Sequence, residues 1–317
     1  MSTLDLNPGL GQGALTVKSV NRECGSAPTW LDTTFKDSNN ILYCVDEGWQ
    51  TPNASINTLK IAADGSLKSV AKIDTIQGPV STQFYNKNKA LALAHYGGSA
   101  ISTYTLSSDK TTFTKLQNFT FVAKGPLPQQ EASHVHEAII DPTGQYLLFP
   151  DLGADVVRVY CADPKTSLLT VKESLQSPLG SGPRHAAFWT SKDNTYLYVL
   201  HELANIIIAY KVEYLKAGGL GFTKINQYSS YGNQVAPVGS RGAEITVSPD
   251  SRFIVASNRN GTLFQIANPD PKNSTKIGSD ALATFAPQKD GSLSFVQLAP
   301  SGGSFPRHFQ FNKVCDL

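Results

Sequence analysis

A three-strand phrase that recurs along the chain is the feature that most constrains the fold. Each copy has a half-polar strand, a turn built on Pro, Asp or Gly, a very apolar strand that ends in a charged residue or His, and a third strand. The clearest copies span 134–160, 183–212 and 242–266, and weaker copies span 27–48 and 81–98. The apolar strands end at Glu47, His95, Asp151, Glu202 and Arg259, at intervals of 48, 56, 51 and 57 residues.

A weak fourth strand follows several copies, at 66–73, 111–119 and 292–299. Four antiparallel strands every 40 to 60 residues are typical of the blades of a β-propeller. A large β-sandwich is the alternative, but it does not require the same phrase at near-equal spacing. The sequence therefore predicts an all-β fold, a single β-propeller domain over 1–317 built from four-stranded antiparallel blades.

The number of blades raises a question about both ends of the chain. Five complete blades are predicted over about 27–300. Residues 13–20 resemble only the outer strand of a preceding blade, and residues 305–311 (FPRHFQF) resemble the inner strand of a following one. We therefore expect incomplete first and last blades, whose exposed sheet edges an open ring or another element must accommodate.

Composition excludes several classes of protein. The net charge of +2 provides no strong basic field to hold phosphates, so a nucleic-acid partner is not expected. No run of 18 apolar residues predicts a membrane span. Residues 1–15 lack the basic and apolar regions of a signal peptide, which favours the cytoplasm. A secreted or cell-surface protein is the alternative if a leader was removed, and a homo-oligomer remains open.

The four cysteines are Cys24, Cys44, Cys161 and Cys315. None forms a CxxC pair and no His lies at zinc-ribbon spacing, so a structural zinc is not expected. Cys24 and Cys44 can pair if their segments are neighbouring strands, and small buried thiols are the alternative. The four N-x-[ST] sequons are about as many as chance gives in a chain of this composition, so they say little about secretion.

Ionisable residues cluster at two places in the repeated phrase, the start of strand one and the end of strand two. In a propeller these places share one face, so we expect a polar opening at the central channel. Strand alternation predicts that His201 points away from Glu202, that His134 and His136 share one face, and that His185 opposes Arg184. The strand-one starts supply His134, His136, Pro183, Arg184, His185, Glu244, Arg307 and His308, and the strand-two ends supply Glu47, His95, Asp151, His201, Glu202 and Arg259; all six histidines of the chain are among them.

This mixture of residues favours chemistry on a small anionic substrate. Guanidiniums bind carboxylate or phosphate through paired hydrogen bonds, and a His beside a carboxylate can move protons near neutral pH. A metal site using His136, Asp151 and Glu202 is chemically possible, but nearby arginines would repel a cation. No metal and no organic cofactor is therefore expected.

Several of these segments are familiar from one family. HVHEAIIDPTGQYLLFPDLGADVVRVY, GPRHAAFW with YLYVLHE, ITVSPDSRFIVASNRN and PRHF resemble the seven-bladed β-propeller lactonase family. Its members include 6-phosphogluconolactonases and the fungal 3-carboxy-cis,cis-muconate lactonizing enzymes, or carboxymuconate cyclases. CGSAPTWL with ILYCVDEG looks most like the fungal cyclase branch. The resemblance implies a catalytic His136 and Glu202, substrate-binding Arg184 and Arg259, and no cofactor.

Three functions follow as hypotheses. The first is a cofactor-independent lactonizing isomerase of aromatic degradation, in which the arginines hold substrate carboxylates and His136 or Glu202 delivers a proton. The second is a sugar-lactone hydrolase similar to 6-phosphogluconolactonase, in which His136 activates water. The third is a non-catalytic propeller that binds a partner or acts as a surface antigen. Residues expected to support the opening by hydrogen bonds are His134, Asp151, His185, Glu244, Arg307 and His308.

Overall fold

The computed structural model describes residues 1–6, 15–33, 40–192, 194–270 and 272–312. Almost all regular structure in these residues is antiparallel strand, and the one helical element among them is the 3-10 turn Pro128–Gln130. No helix in the described part of the chain is long and apolar enough to cross a membrane. The prediction of an all-β chain is confirmed. Gly13, Ala14 and Cys315, which the sequence predictions named, lie outside the described residues.

The first two strands form a separate hairpin. Strand β1 (Ser2–Leu6) pairs antiparallel with β2 (Leu15–Val20). The sequence predicted only one strand here, over 13–20. The short alternating segment before it also forms a strand, because it finds a ladder partner in β2.

Within the described ranges, five four-stranded sheets, numbered I to V in chain order, follow the hairpin. In sheets I to IV the spatial order of the strands is the order along the chain, which confirms the predicted antiparallel blades. Sheet I contains β3 (Pro28–Asp32), β4 (Ile41–Asp46), β5 (Ala54–Ile61) and β6 (Leu67–Thr75); sheet II contains β7 (Pro79–Tyr85), β8 (Ala90–His95), β9 (Ala100–Leu106) and β10 (Phe113–Thr120). Sheet III contains β11 (Ile139–Ile140), β12 (Tyr146–Asp151), β13 (Val156–Ala162) and β14 (Leu169–Gln176); sheet IV contains β15 (Pro183–Ser191), β16 (Asn194–His201), β17 (Ile206–Tyr214) and β18 (Leu220–Ser229).

Sheet V differs from the predicted blade in its third strand. It contains β19 (Arg241–Val247), β20 (Ile254–Arg259), β23 (Ala281–Pro287) and β24 (Leu293–Pro300). The sequence predicted that the segment ending at Ile266 would be the third strand. That segment instead forms an inserted hairpin, β21 (Phe264–Ala267) with β22 (Lys276–Ser279). The segments Phe264–Ala267 and Ala281–Pro287 both form strands, and only the second of them pairs with β20.

Contacts divide the chain into two compact units. The first unit comprises 1–123, 132–149 and 160–171, and the second comprises 124–131, 150–159 and 172–317. Sheets I and II lie in the first unit, and sheets IV and V lie in the second. The predicted single domain over 1–317 stays a prediction.

Each unit has its own apolar core between adjacent sheets. In the first unit, the ring of Tyr43 lies 5.1 Å from that of Phe84 and 5.4 Å from that of Phe113. In the second unit, Tyr198, Leu200 and neighbours from β19, β20 and β23 form the corresponding cluster. The second strands β4, β8 and β12 are buried at every residue. Full burial of each large apolar side chain contributes about 1.5–3 kcal/mol to folding stability. These well-packed strands therefore fix the positions of the polar residues at their ends.

Cys24 and Cys44 form a disulfide, with their Cα atoms 5.9 Å apart. The alternative of buried free thiols is therefore wrong for this pair. The bond ties the segment before β3 to the centre of β4. Cys161 is a free cysteine of intermediate exposure.

Loss of this disulfide is expected to lower the free energy of unfolding by about 3 kcal/mol, because a loop of this length restricts the unfolded chain. Urea unfolding of the Cys24→Ser/Cys44→Ser variant measures the change, and Cys161→Ser is the matched control. Equal midpoints for the double variant and the wild type would contradict the expectation.

Candidate functional site

A β-bulge recurs near the start of the first strand in sheets I, II, IV and V. In sheet IV, Pro183 pairs with His201 and His185 pairs with Leu200, so Arg184 is the extra residue. A bulge interrupts the ladder and re-aims a side chain, and bulges are frequent next to functional sites. The side chain of Arg184 therefore does not follow the simple alternation of a regular strand.

Gly182 guides the chain into this bulge. Its backbone N–H donates to Asp155 Oδ1 over 2.8 Å, and its carbonyl accepts the N–H of Glu202 over 2.7 Å. Its φ of +63° belongs to the left-handed region, and a Cβ would approach Leu203 to 2.6 Å. A larger residue would be strained at this position, so glycine is required there. The hydrogen bond between Gly182 and Glu202 sets the distance between the start of β15 and the loop after β16.

Three side chains of the second unit form an ion network around one carboxylate. Arg184 Nη1 lies 2.6 Å from Glu202 Oε2, and Arg259 Nη2 lies 2.6 Å from Glu202 Oε1. Arg184 Nε also donates to the carbonyl of Ala243 over 2.8 Å, which connects sheet IV to sheet V. The exposed fractions of the Arg184, Arg259 and Glu202 side chains are only 3%, 8% and 12%. Three of the four residues that the family resemblance singled out thus lie in direct contact.

The charges of this network favour an anion. Burial raises the pKa of Glu202, but the guanidiniums of Arg184 and Arg259 outweigh it and lower that pKa, so the carboxylate is ionised. Burial lowers the pKa of Arg259 to about 10, which leaves it charged at neutral pH. Arg307 adds a third positive charge that acts on Glu202. Three guanidiniums against one carboxylate give a formal charge of +2.

Arg259 also retains hydrogen-bonding capacity. Its Nε is buried and has no acceptor among the residues that the structure describes. A buried donor without a partner is rare and commonly marks the place of a water or a bound group. Arg259 is therefore the guanidinium best suited to receive an anionic ligand.

A second polar array adjoins the first. The Glu244 carboxylate lies between two imidazoles, with His185 Nδ1 2.8 Å from Oε1 and His308 Nδ1 2.5 Å from Oε2. The backbone N–H of Ile245 also donates to Oε1, over 3.0 Å. Burial raises the pKa of Glu244, but its two imidazole partners outweigh burial and lower the pKa to about 2. Glu244 is thus a fixed, ionised carboxylate, and its supporting role stays a prediction.

The segment 305–308 contributes the exposed part of this region. The backbone N–H of Phe305 donates to Asp280 Oδ2 over 2.8 Å, and Ser257 Oγ donates to the carbonyl of Pro306 over 2.9 Å. The Phe305 ring lies 5.9 Å from the Arg259 guanidinium. The sequence predicted an inner strand at 305–311, but these residues form none. Side chains, rather than a backbone ladder, hold the segment against sheet V.

The residues predicted at the ends of the second strands occupy two different positions relative to the first strand. His95 pairs with Pro79 and His201 pairs with Pro183, whereas Glu202 lies one residue further along. A step of one residue reverses the face of a strand. Both histidines are fully buried, and burial lowers the pKa of His95 to about 4 and that of His201 to about 3. The prediction that His201 points away from Glu202 agrees with this geometry, but the placement of His95 beside the polar opening does not.

Asp151 also differs from its predicted role. It is fully buried, and its Oδ2 accepts from Arg158 Nε over 2.9 Å and from Nη2 over 2.7 Å. It is the last residue of β12, as His201 is the last residue of β16, so the residue that corresponds to Glu202 is Leu152. Asp151 therefore anchors its own sheet.

Two predicted residues, His134 and His136, belong to the first unit. The His134 ring stacks on Tyr96 with centroids 4.1 Å apart, and the His136 ring meets the edge of Tyr96 at 5.5 Å. Val135 between them is part of the apolar core. The two histidines thus share one face, as alternation predicted, although neither lies in a regular strand. The catalytic role of His136 stays a prediction.

Sequence reasoning missed three residues that organise these sites. Tyr96 contacts both histidines of the first unit, Ser257 joins sheet V to Pro306, and Asp280 holds Phe305. Tyr96 directly follows His95, so a prediction that placed the functional residue one position after the end of β8 would have identified it. Ser257 and Asp280 carry no such local signal, because their partners are distant in sequence.

A model of the lactonase family, described as a seven-bladed β-propeller, matches residues 3–316. This agrees with the predicted fold class and with the family that the sequence motifs resemble.

Two curated relatives have related names. A protein of Arthroderma benhamiae named "Probable 6-phosphogluconolactonase" is 30% identical over 299 residues, covering 92% of this chain and 70% of its own length. The 6-phosphogluconolactonase of Bacillus subtilis is 27% identical, covering 90% of this chain and 74% of its own. Among solved structures, the periplasmic gluconolactonase of Pseudomonas aeruginosa matches with a TM-score of 0.77 at 22% identity, covering 98% of this chain and 81% of its own. That likeness concerns the fold.

Proposed function

Because the chain belongs to the lactonase family of seven-bladed β-propellers, we propose that it is an enzyme that hydrolyses an anionic sugar lactone, with 6-phosphogluconolactone as the first substrate to test. The observation that carries the proposal is the guanidinium network around Glu202, with its formal charge of +2 and the unsatisfied Nε of Arg259. The names of the relatives from Arthroderma benhamiae and Bacillus subtilis support the same substrate class.

The roles of the arginines follow from their contacts. Arg184 is bonded to Glu202 and to the carbonyl of Ala243, so its main contribution is to hold the carboxylate in place. Arg259 and the exposed Arg307 supply charge to bind the phosphate or carboxylate of the substrate. The same positive field stabilises the oxyanion that forms when water attacks the lactone carbonyl.

The cyclase hypothesis is less well supported than the hydrolase hypothesis. The relatives reported above are named lactonases, and none of them supports isomerase chemistry, a fungal cyclase or aromatic degradation. An arginine network would serve substrate carboxylates as well as a phosphate, so geometry alone does not separate the two reactions. A direct comparison of substrates does.

A pH-stat assay with 6-phosphogluconolactone is expected to show proton release at least about 10²-fold faster than uncatalysed hydrolysis, as general acid–base catalysis alone can provide. Gluconolactone, which lacks the phosphate, is expected to react with kcat/KM at least tenfold lower, because it does not engage the guanidiniums. The diene absorbance of 3-carboxymuconate is expected to stay constant. A folded protein that accelerates neither lactone would overturn the proposal and favour the non-catalytic hypothesis, whereas a falling diene absorbance would favour the cyclase.

A further inference from the structure

Solvent exposure separates the three histidines of the second unit. The His308 side chain is 54% exposed, whereas His185 is 3% exposed and His201 is fully buried. A group that exchanges a proton with water must be accessible to it. His308 is therefore the imidazole of this unit that can take part in a reaction with water.

Glu244 fixes the orientation of the His308 ring. The distance of 2.5 Å between Glu244 Oε2 and His308 Nδ1 places an ionised carboxylate at that nitrogen. A carboxylate at Nδ1 favours the tautomer whose proton is on Nδ1, and the basic lone pair is then on Nε2. This is the arrangement that a general base requires.

A single hydroxyl connects the two partners of this pair. The backbone N–H of Glu244 donates to Ser257 Oγ over 3.0 Å, and Ser257 Oγ donates to the carbonyl of Pro306 over 2.9 Å. The backbone of Glu244 and the segment that carries His308 are therefore attached to the same residue of β20. His185 and the N–H of Ile245 hold Glu244 from its other oxygen.

The pair lies next to the guanidinium network. Phe305 lies against Arg259, and the charge of Arg307, the neighbour of His308, acts on Glu202. A substrate whose anionic group is bound by these guanidiniums would have its lactone ring near the 305–308 segment.

We propose that His308 is the general base of the lactone hydrolysis and that Glu244 is its positioning residue, an inference that rests on the proposed function. Water attacks the lactone carbonyl carbon and gives a proton to His308 Nε2. The carbonyl oxygen becomes the oxyanion; when it collapses, the bond from the carbonyl carbon to the ring oxygen breaks, and that oxygen takes the proton from His308. The products are one carboxylic acid, which ionises, and one hydroxyl.

The sequence had assigned proton transfer to His136 or Glu202. His136 is 3% exposed, and two guanidiniums hold Glu202 ionised, which weakens it as a base. Both residues are thus less suited than His308 to accept a proton from water.

The test is chemical rescue. His308→Ala is expected to lower kcat by about 10²-fold or more, with KM changed less than threefold, and added imidazole is expected to restore at least tenfold of the rate because the site is exposed. Glu244→Gln is expected to lower kcat to a similar extent, and Glu213→Gln, an exposed change on β17, is the matched control. A full rate in His308→Ala, or a loss that imidazole does not restore, overturns the proposal.

A second measurement separates this inference from the proposed function. Long-range ¹H–¹⁵N NMR reads the tautomer of the His308 ring, and we expect the proton on Nδ1 in the wild type and a mixed state in Glu244→Gln. If the wild type hydrolyses no lactone, the proposed function fails and with it the role of base, while this tautomer still supports Glu244 as positioning residue. A wild-type ring with its proton on Nε2 overturns the pair itself.

Discussion

Replacing Arg259 by Met is expected to lower kcat/KM for 6-phosphogluconolactone by about 10²- to 10³-fold, the effect of losing a guanidinium that binds an anion and stabilises developing negative charge. Met keeps an unbranched apolar side chain but removes every donor, together with the guanidinium that lies over the Phe305 ring. Arg184 remains bonded to Glu202, so the carboxylate keeps one partner and the fold is expected to persist. Steady-state rates with the phosphorylated and the neutral lactone measure the effect.

The control for this variant lies in the same sheet. Arg252 pairs with Asp250 at the opposite end of β19 and β20, and its side chain is 72% exposed. Arg252→Met is expected to leave kcat/KM within twofold of the wild type. If Arg259→Met affects both lactones equally, the guanidinium does not recognise the anionic group, and the assignment of Arg259 as its binding residue is wrong.

Replacing Glu202 by Leu is expected to lower the free energy of unfolding by about 3–5 kcal/mol, because removal of one partner of a buried ion pair leaves uncompensated charge. Here the loss falls on two guanidiniums, those of Arg184 and Arg259, both nearly buried. Urea unfolding monitored by far-UV circular dichroism measures it. The double variant Glu202→Leu/Arg259→Met is expected to recover part of the lost stability, because only the guanidinium of Arg184 is then left without its carboxylate partner.

The pH dependence of stability provides a second readout for Glu202. Its pKa in the folded state lies below the ordinary value of 4.5, so the stability that it contributes is present above that value. This contribution disappears as the pH falls through the lowered pKa, and Glu202→Leu is expected to lack it. The surface variant Asp250→Ala is expected to change the free energy of unfolding far less, because an exposed ion pair contributes little to stability. A loss of similar size in Glu202→Leu would contradict a buried network.

The disulfide bears on the compartment. Disulfides persist in oxidising surroundings and are rare in the cytoplasm. The Cys24–Cys44 bond thus favours the secreted or cell-surface alternative, and the location stays a prediction, as do the absence of a nucleic-acid partner and the oligomeric state.

Sequence reasoning succeeded where the signal is local. The alternation and turn residues of 134–160 and 183–212 predicted the second and third strands of sheets III and IV closely. It failed where a one-residue step matters. It grouped His95 with Glu202 as equivalent strand ends, although the ladder pairs His95 with Pro79, whereas Glu202 lies one residue beyond His201, the residue that pairs with Pro183.

The amino-acid sequence by itself determined the repeated antiparallel blades, the family, and most of the ionisable residues near the candidate site, because strand periodicity, turn chemistry and motifs act over a few residues. Only the tertiary structure decided which of these side chains meet. The bulge at Arg184 re-aims one guanidinium, the inserted hairpin after β20 displaces a predicted strand, and Glu244 meets His308 across 64 residues. Such contacts depend on register and on packing between sheets, and neither is encoded in a local pattern.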